Sequence, residues 1–232
     1  MKIKHSIIIA EKQCKDMLKN KTVLIQFLLF PLINIIMEHS ITFDELPEHF
    51  FTKLFAVMYL GMAPLTSMAA ILSEEKEKNT LRALLLSDIT SIEYLIGVGG
   101  YVWFVCMLGG SIFLITGNYK GYKGIAFLGS MAVGILISLL IGAVIGTWSK
   151  NQMSATSFTV PIMMVFSFLP MLSMFNKTIR TVAKITYTQQ ISLFLNQTES
   201  IKITIENIIV ILFNILITSI LFRYAYKKHG FT

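Results

Sequence analysis

Long apolar runs, separated by short charged segments, limit what this chain can fold into more than any other feature. A helix needs about 20 apolar residues to cross a hydrocarbon core of roughly 30 Å. Backbone groups inside lipid must bond within the chain, so helices are the structure expected for these runs. We therefore predict an all-α, polytopic membrane protein with six transmembrane helices, at residues 22–37, 54–72, 94–116, 125–148, 154–175 and 208–222.

The composition leaves little of the chain outside the bilayer. Of the 232 residues, 54% are hydrophobic and only 14% are charged, so a separate soluble catalytic domain has no room. We therefore expect residues 1–232 to form a single transmembrane domain. The lipid bilayer is one of its expected partners. The net charge of +7 comes without an aromatic and basic patch, so no nucleic acid is expected.

Residues 3–19, before the first run, have the pattern of an amphipathic helix. Charged side chains lie mostly opposite an apolar stripe made of Ile3, Ile7, Ala10, Cys14, Met17 and Leu18. Such a helix is typical of the membrane interface, in which it lies parallel to the surface. We expect an interfacial helix here, and a solvated leader before the first span is the alternative.

The positive charges predict an orientation in the plasma membrane. With a cytoplasmic N-terminus, thirteen Lys and Arg residues fall on the cytoplasmic side and seven on the outer side. Cytoplasmic loops carry the excess of these residues in membrane proteins. Both termini and the charged segment at residues 74–93 are therefore predicted to be cytoplasmic.

The fourth apolar run carries a small residue at every fourth position. Small residues at this spacing let a neighbouring helix approach closely within the membrane. We expect a helix-packing face here, and the spacing leaves open whether it packs within the subunit or against a second one. The residues of this face are Ser130, Gly134, Ser138, Gly142 and Gly146.

The fifth run combines methionine and phenylalanine, which form adaptable apolar surfaces. These side chains are candidates for a substrate path, and the alternative is that they face lipid or the protein core. The candidates are Met163, Met164, Phe166, Phe168 and Met171. Residues 176–207, which follow the fifth run, are too polar to span, and we expect short interfacial helices there.

The sequence lacks the usual signs of catalytic or metal-binding chemistry. No glycine is followed by lysine, so the GxxxxGK[ST] phosphate loop is absent and ATP would have to be bound by a partner. Glu74 and Glu75 invite comparison with intramembrane proteases that carry EExxxR, but Asn79 stands at the arginine position. Glu38-His39 and Glu48-His49 lack the spacing of a metal motif. We expect no catalytic, cofactor-binding or metal-ligating residues.

The charged segment also resembles a known motif. It reads Glu75-Lys76-Glu77-Lys78-Asn79-Thr80-Leu81, followed in register by Leu84-Leu85, Thr90, Glu93 and Gly97. This order is similar to the stretch E-K-E-x-G-T-L-x-x-L-L-x-x-P-x-S-x-x-E that follows the second span in membrane subunits of ABC-2-type transporters. The sequence departs from that pattern at Asn79, where glycine is usual, and at Asp88, where proline is usual.

The resemblance implies a permease subunit of an ATP-driven exporter, similar to small bacterial exporters of antimicrobial peptides. Residues 74–93 would form a cytoplasmic coupling segment that docks on an ABC ATPase, and residues 176–207 an extracellular gate. ATP and Mg would be bound by the ATPase, and a second membrane subunit, identical or different, would complete the path for a hydrophobic or amphipathic substrate. The residues implied in ATPase docking are Glu75, Glu77, Thr80, Leu81, Leu84, Leu85 and Glu93.

Two other classes of function stay open at this stage. A stand-alone membrane immunity or sensor protein would bind a toxin without transport. An intramembrane protease would use Glu74 and Glu75 to activate water, although no histidine lies in an apolar run.

Overall fold

The computed structural model describes residues 3–19, 21–41, 47–80, 89–196 and 204–229, and every regular element in these ranges is helical. Five helices are long and apolar enough to cross a membrane, namely α3, α4, α5, α6 and α9, whereas the apolar part of α2 is shorter. These lengths indicate a multi-pass membrane protein. The helices are α1 (Ile3–Lys19), α2 (Lys21–Ser40), α3 (Phe50–Glu77), α4 (Ser91–Thr116), α5 (Gly121–Trp148), α6 (Gln152–Phe175), α7 (Lys177–Ala183), α8 (Tyr187–Asn196) and α9 (Ile205–His229).

Helix α3 is the centre of the bundle. It packs against α2, α4, α5, α6 and α8, and most of its side chains are buried. The sequence of α3 is apolar on nearly all sides, as expected of a helix that contacts protein around most of its circumference. A displacement of α3 would therefore change the packing of most of the described helices.

Helix α5 lies along α3 with its small residues at the contact. A Cβ atom added at Gly146 would lie 2.7 Å from the Cβ of Leu72, and one at Gly142 would meet the backbone carbonyl oxygen of Leu65. Gly134 faces α8 and α3 in the same way. Ser130 is half-buried and its hydroxyl donates to its own helix. Gly142 and Gly146 thus lie where the backbone of α3 comes close to α5 inside one chain, and Gly134 packs against the side chains of Leu60 and Ile191.

Ser138, the remaining member of that set, compensates for a proline in α3. Pro64 has no N–H to donate to the carbonyl of Leu60 one turn earlier. The Ser138 hydroxyl donates to that carbonyl at 2.5 Å. Because its hydrogen is used there, Ser138 accepts the bond from the Tyr187 hydroxyl at 2.6 Å. A buried polar chain therefore joins α3, α5 and α8.

Helix α8 lies in the stretch where the sequence predicts short interfacial helices, and it is buried among the other helices. Tyr187 is fully buried with its ring 5.1 Å from that of Phe166, and the Gln189 side chain accepts a bond from Ser173 at 2.9 Å. The polar residues that made this stretch look unsuited to the interior are bonded inside the bundle. Helix α7, before it, is largely exposed.

The end of the bundle opposite the charged segment joins α2 to α3 and α4 to α5. Glu38 accepts bonds from the His49 ring at 3.0 Å and from the Thr52 backbone N–H at 2.9 Å. Tyr119 stacks on Phe127, and burial raises the pKa of the Tyr119 hydroxyl to about 12. Within the described ranges no three metal-ligating side chains come together.

Candidate functional site: the junction between the N-terminal helix and the charged segment

The charged segment begins as a continuation of α3. The helix runs on past the apolar stretch to Glu77, with Lys78 as its C-terminal cap. The Glu74 side chain bonds to Lys78 one turn later at 2.5 Å, and this contact raises the pKa of Lys78. The apolar pattern predicts a second span that ends at residue 72, and the structure adds a charged extension to it.

Asn79 ends this extension in a left-handed backbone conformation, with a φ of 55°. Glycine adopts this conformation without cost, and asparagine tolerates it better than other residues do. The position at which the resembling motif has glycine is therefore one where the backbone favours glycine.

Asn79 supports a first prediction about stability. Replacing it with glycine should change the free energy of unfolding little, whereas Asn79→Val should lower it by about 1–2 kcal/mol, because a β-branched residue is strained there. Thermal unfolding of the purified protein in detergent measures both variants. Equal melting of the two would show that this conformation places no demand on the residue.

Glu75 connects the extension to the N-terminal helix. Only 7% of Glu75 is exposed, and one of its carboxylate oxygens accepts bonds from Lys12 at 2.8 Å and from Gln13 at 2.6 Å. A buried carboxylate is unfavourable unless it is paired and hydrogen-bonded. The partners on α1 supply both the charge and the donors.

Glu93 makes the second connection to α1, from the beginning of α4. Its side chain accepts a bond from the Thr90 backbone N–H, and the Thr90 hydroxyl accepts one from the Glu93 N–H, which forms a capping box. The same carboxylate contacts the His5 ring at 3.1 Å, and the Glu93 carbonyl accepts a bond from Ser6 at 2.9 Å. Glu93 is 3% exposed, so its position is fixed by its own chain.

Gly97 lets α1 approach α4 closely. A Cβ atom at this position would lie 2.7 Å from the Ser6 carbonyl oxygen and 2.8 Å from the Ile9 side chain. We call the contact of α1 with Glu75, Glu93 and Gly97 the α1 junction. It fixes α1 against the last turn of α3 and the first turns of α4.

The face that α1 buries differs from the apolar stripe read in the sequence. Ser6, Ile9 and Gln13 are buried, whereas Ile7 is 60% exposed and Cys14 is also exposed. Helix α1 buries its more polar face because this face offers donors to the carboxylates of Glu75 and Glu93. The exposed side keeps apolar residues available for the membrane interface.

The other charges of the extension bind the turn between α5 and α6. The Lys76 side chain donates to the Thr147 carbonyl at 2.6 Å, at the C-terminal end of α5. Glu77 accepts a bond from the Gln152 N–H at 2.9 Å, at the beginning of α6. A cation at a helix C-terminus and an anion at an N-terminus both complement the helix dipoles.

The predicted ATPase-docking residues divide into three groups. Leu81, Leu84 and Leu85 lie outside the described residues. Glu75 and Glu93 are buried and bonded inside the chain, so in this structure they orient α1 instead of facing outward. Thr80 donates to the Glu75 carbonyl at 3.2 Å, and Glu77 is exposed.

The residues suggested for a substrate path do not share one environment. Met164 and Phe168 are exposed on α6, whereas Met163, Phe166 and Met171 are half-buried against the bundle. The five residues therefore lie partly on the exposed side of α6 and partly on the side that packs against the bundle.

Four residues of the α1 junction were not singled out in the sequence: His5, Ser6, Lys12 and Gln13. The signal that could have found them is the polar spacing of Ser6 and Gln13, two turns apart on one face and on either side of Ile9. Hydropathy alone does not indicate such a face, because the face contacts carboxylates more than apolar side chains.

Comparison with models of known protein families finds no match, and comparison with curated protein sequences finds none.

Proposed function

We propose that the chain is the membrane subunit of an ABC-2-type exporter, driven by a separate cytoplasmic ATPase. In this proposal α2 crosses the membrane together with α3, α4, α5, α6 and α9, which gives six spans and places both termini in the cytoplasm. A second membrane subunit, identical or different, completes the path. The substrate is hydrophobic or amphipathic, with a peptide as the preferred class.

The α1 junction is the observation that supports this proposal most strongly. It holds the end of α3 and the beginning of α4, which are the two anchors of the segment at residues 81–88. A partner that pushes on this segment would move α3, and α3 contacts five other helices. The ends of α3 and α4 that flank this segment therefore have the contacts that a coupling element would need to transmit force into the bundle.

The positive charges support the orientation. The end that carries the α1 junction also holds Lys150, and the C-terminal part of α9 carries Arg223, Lys227 and Lys228. Cytoplasmic ends of membrane helices are rich in such residues. In the proposal this end faces the compartment that contains ATP, and the ATPase binds both ATP and Mg.

Co-purification from native cells tests the proposal. A tagged full-length chain should carry with it a polypeptide that contains GxxxxGK[ST], identified by mass spectrometry. The double variant Leu84→Asp and Leu85→Asp should lose about 90% of this partner, because burying two carboxylates at an apolar contact costs several kcal/mol. Met153→Asp is the matched control, since Met153 is exposed at the beginning of α6.

Two outcomes would overturn the proposal. Undiminished co-purification of the double variant would refute the docking role of these leucines. Consistent absence of any nucleotide-binding partner, with a toxin retained instead, would favour a stand-alone immunity or sensor protein. A protease would lose its turnover in Glu74→Gln and Glu75→Gln, whereas an exporter with Glu74→Gln should still assemble with its ATPase.

A further inference from the structure

A small cavity lies where α3, α6 and α8 meet. Its volume of about 10 Å³ is room for one molecule the size of water. Val57 of α3 and Pro170 of α6, both buried, form part of its apolar wall. We call it the α8 cavity. Four polar side chains also line it: Lys53 from α3, Ser167 from α6, and Ser192 and Asn196 from α8.

The Ser192 hydroxyl is a buried group without a partner among the described residues. Only 8% of Ser192 is exposed, and within the described ranges its hydroxyl makes no hydrogen bond. Because the rest of the residue is enclosed by the bundle, this hydroxyl meets a ligand only in the α8 cavity. Buried hydroxyls in proteins are bonded to the chain or to ordered water. The cavity therefore contains a group that needs a ligand.

The four polar side chains together offer two donors and two acceptors. The Lys53 ammonium only donates, and its three N–H groups leave it able to bond a ligand in addition to its contacts within the chain. The Ser192 hydroxyl is the second donor. Ser167 already donates its hydrogen to the Met58 carbonyl at 3.1 Å, which leaves its oxygen to accept. The Asn196 nitrogen donates to the Ser192 carbonyl at 2.9 Å, and its amide oxygen is the second acceptor.

This combination of groups selects the ligand. A water molecule accepts two hydrogen bonds and donates two, and buried waters make between two and four. A halide ion only accepts, so the oxygens of Ser167 and Asn196 would stay without a donor. A metal cation would be repelled by the Lys53 ammonium. A carboxylate or a phosphate is too large for the volume.

We propose that the α8 cavity binds one ordered water molecule, which bridges α3, α6 and α8. The water accepts from Lys53 and Ser192 and donates to Ser167 and Asn196. It gives Ser192 the partner that the chain does not supply, and it fixes the polar helix α8 against two apolar helices. The site does not depend on an ATPase, so its test is independent of the proposed transport function.

X-ray radiolytic footprinting of the full-length chain in detergent tests the site. A short exposure splits bound water into hydroxyl radicals, which oxidise the nearest methionine, while a scavenger removes the radicals of bulk solvent. Met171 lines the α8 cavity, whereas Met163 is equally half-buried on α6 and does not line it. Mass spectrometry should therefore show faster oxidation of Met171 than of Met163. In Ser192→Val this ratio should fall about fivefold or more, because an apolar side chain fills the space of the water.

Thr188→Val is the matched control. Thr188 lies one turn earlier on α8, is fully buried with a hydroxyl that lacks a partner, and does not line the cavity. It should leave the oxidation of Met171 unchanged. If Ser192→Val aggregates, Asn196→Leu removes an acceptor at an exposed position and should lower the ratio as well.

Two results would overturn the proposal. An equal ratio of Met171 to Met163 oxidation in the native chain and in Ser192→Val would show that the α8 cavity holds no water. A ratio that falls when chloride replaces gluconate in the buffer would assign the cavity to a halide ion instead.

Discussion

Gly142→Leu should destabilise the folded subunit strongly, by about 3 kcal/mol or more. A Cβ atom at this position meets the backbone of α3 at Leu65, and the Met68 side chain lies 2.9 Å from it. Backbone cannot turn aside as a flexible side chain does, so α3 and α5 would have to separate. Thermal unfolding in detergent should show a lower melting temperature, and the expression level should fall.

Gly129→Leu is the control for this prediction. It lies on the same helix, it is exposed, and no atom lies within 4 Å of a Cβ added there. Both substitutions raise the intrinsic helix propensity by about 1 kcal/mol, so the difference between them reports the helix contact alone. Equal melting of the two variants would mean that α3 and α5 do not pack closely at Gly142.

The helices of this fold could be predicted because hydropathy sets where a chain can cross a membrane. Each of the predicted runs at residues 54–72, 94–116, 125–148 and 154–175 lies within one long helix. Their ends shifted, since polar residues extend a helix whenever they find partners beyond the apolar run. The charged turn of α3 after residue 72 is such an extension.

The roles of Glu75 and Glu93 could not be read from their position in a charged segment. An acidic residue between two spans is expected in water, where a partner protein could pair with it. Both carboxylates are instead buried against α1, because His5, Lys12 and Gln13 come from a part of the sequence far from them. A contact across that separation leaves no local pattern.

Helix α8 is a second case in which the residue types alone do not predict burial. Its threonines and glutamines make the stretch too polar for a span, yet the helix lies inside the bundle. Tyr187 reaches Ser138, and Ser138 satisfies a carbonyl that Pro64 leaves without its usual donor. Only the arrangement of three helices together shows that these polar groups have bonding partners in the interior.

Gly97→Leu should release α1 from the bundle without unfolding it. The added side chain would clash with the backbone of α1 at Ser6, and α1 can move away because it precedes the first span. Its separation would break the contacts of His5 with Glu93 and of Lys12 with Glu75. We therefore expect normal expression, with α1 separated from α3 and α4.

Limited trypsin digestion measures that change. Cleavage at Lys12 and Lys15 should accelerate about tenfold, because a loss of about 1.4 kcal/mol in local stability raises the open population by that factor. The proposed coupling role adds a second result: binding of the ATPase should weaken, because the anchors of the segment at residues 81–88 lose their connection to α1.

Gly100→Leu provides the comparison, since it lies one turn further along α4, is exposed, and has no neighbour within 4 Å of an added Cβ. Its digestion and its ATPase binding should both match the native chain. Rapid cleavage in Gly97→Leu together with undiminished ATPase binding would separate the two ideas: α1 would be held by this contact, and the coupling segment would act without it. Slow cleavage in both variants would show that α1 does not depend on the close approach at Gly97.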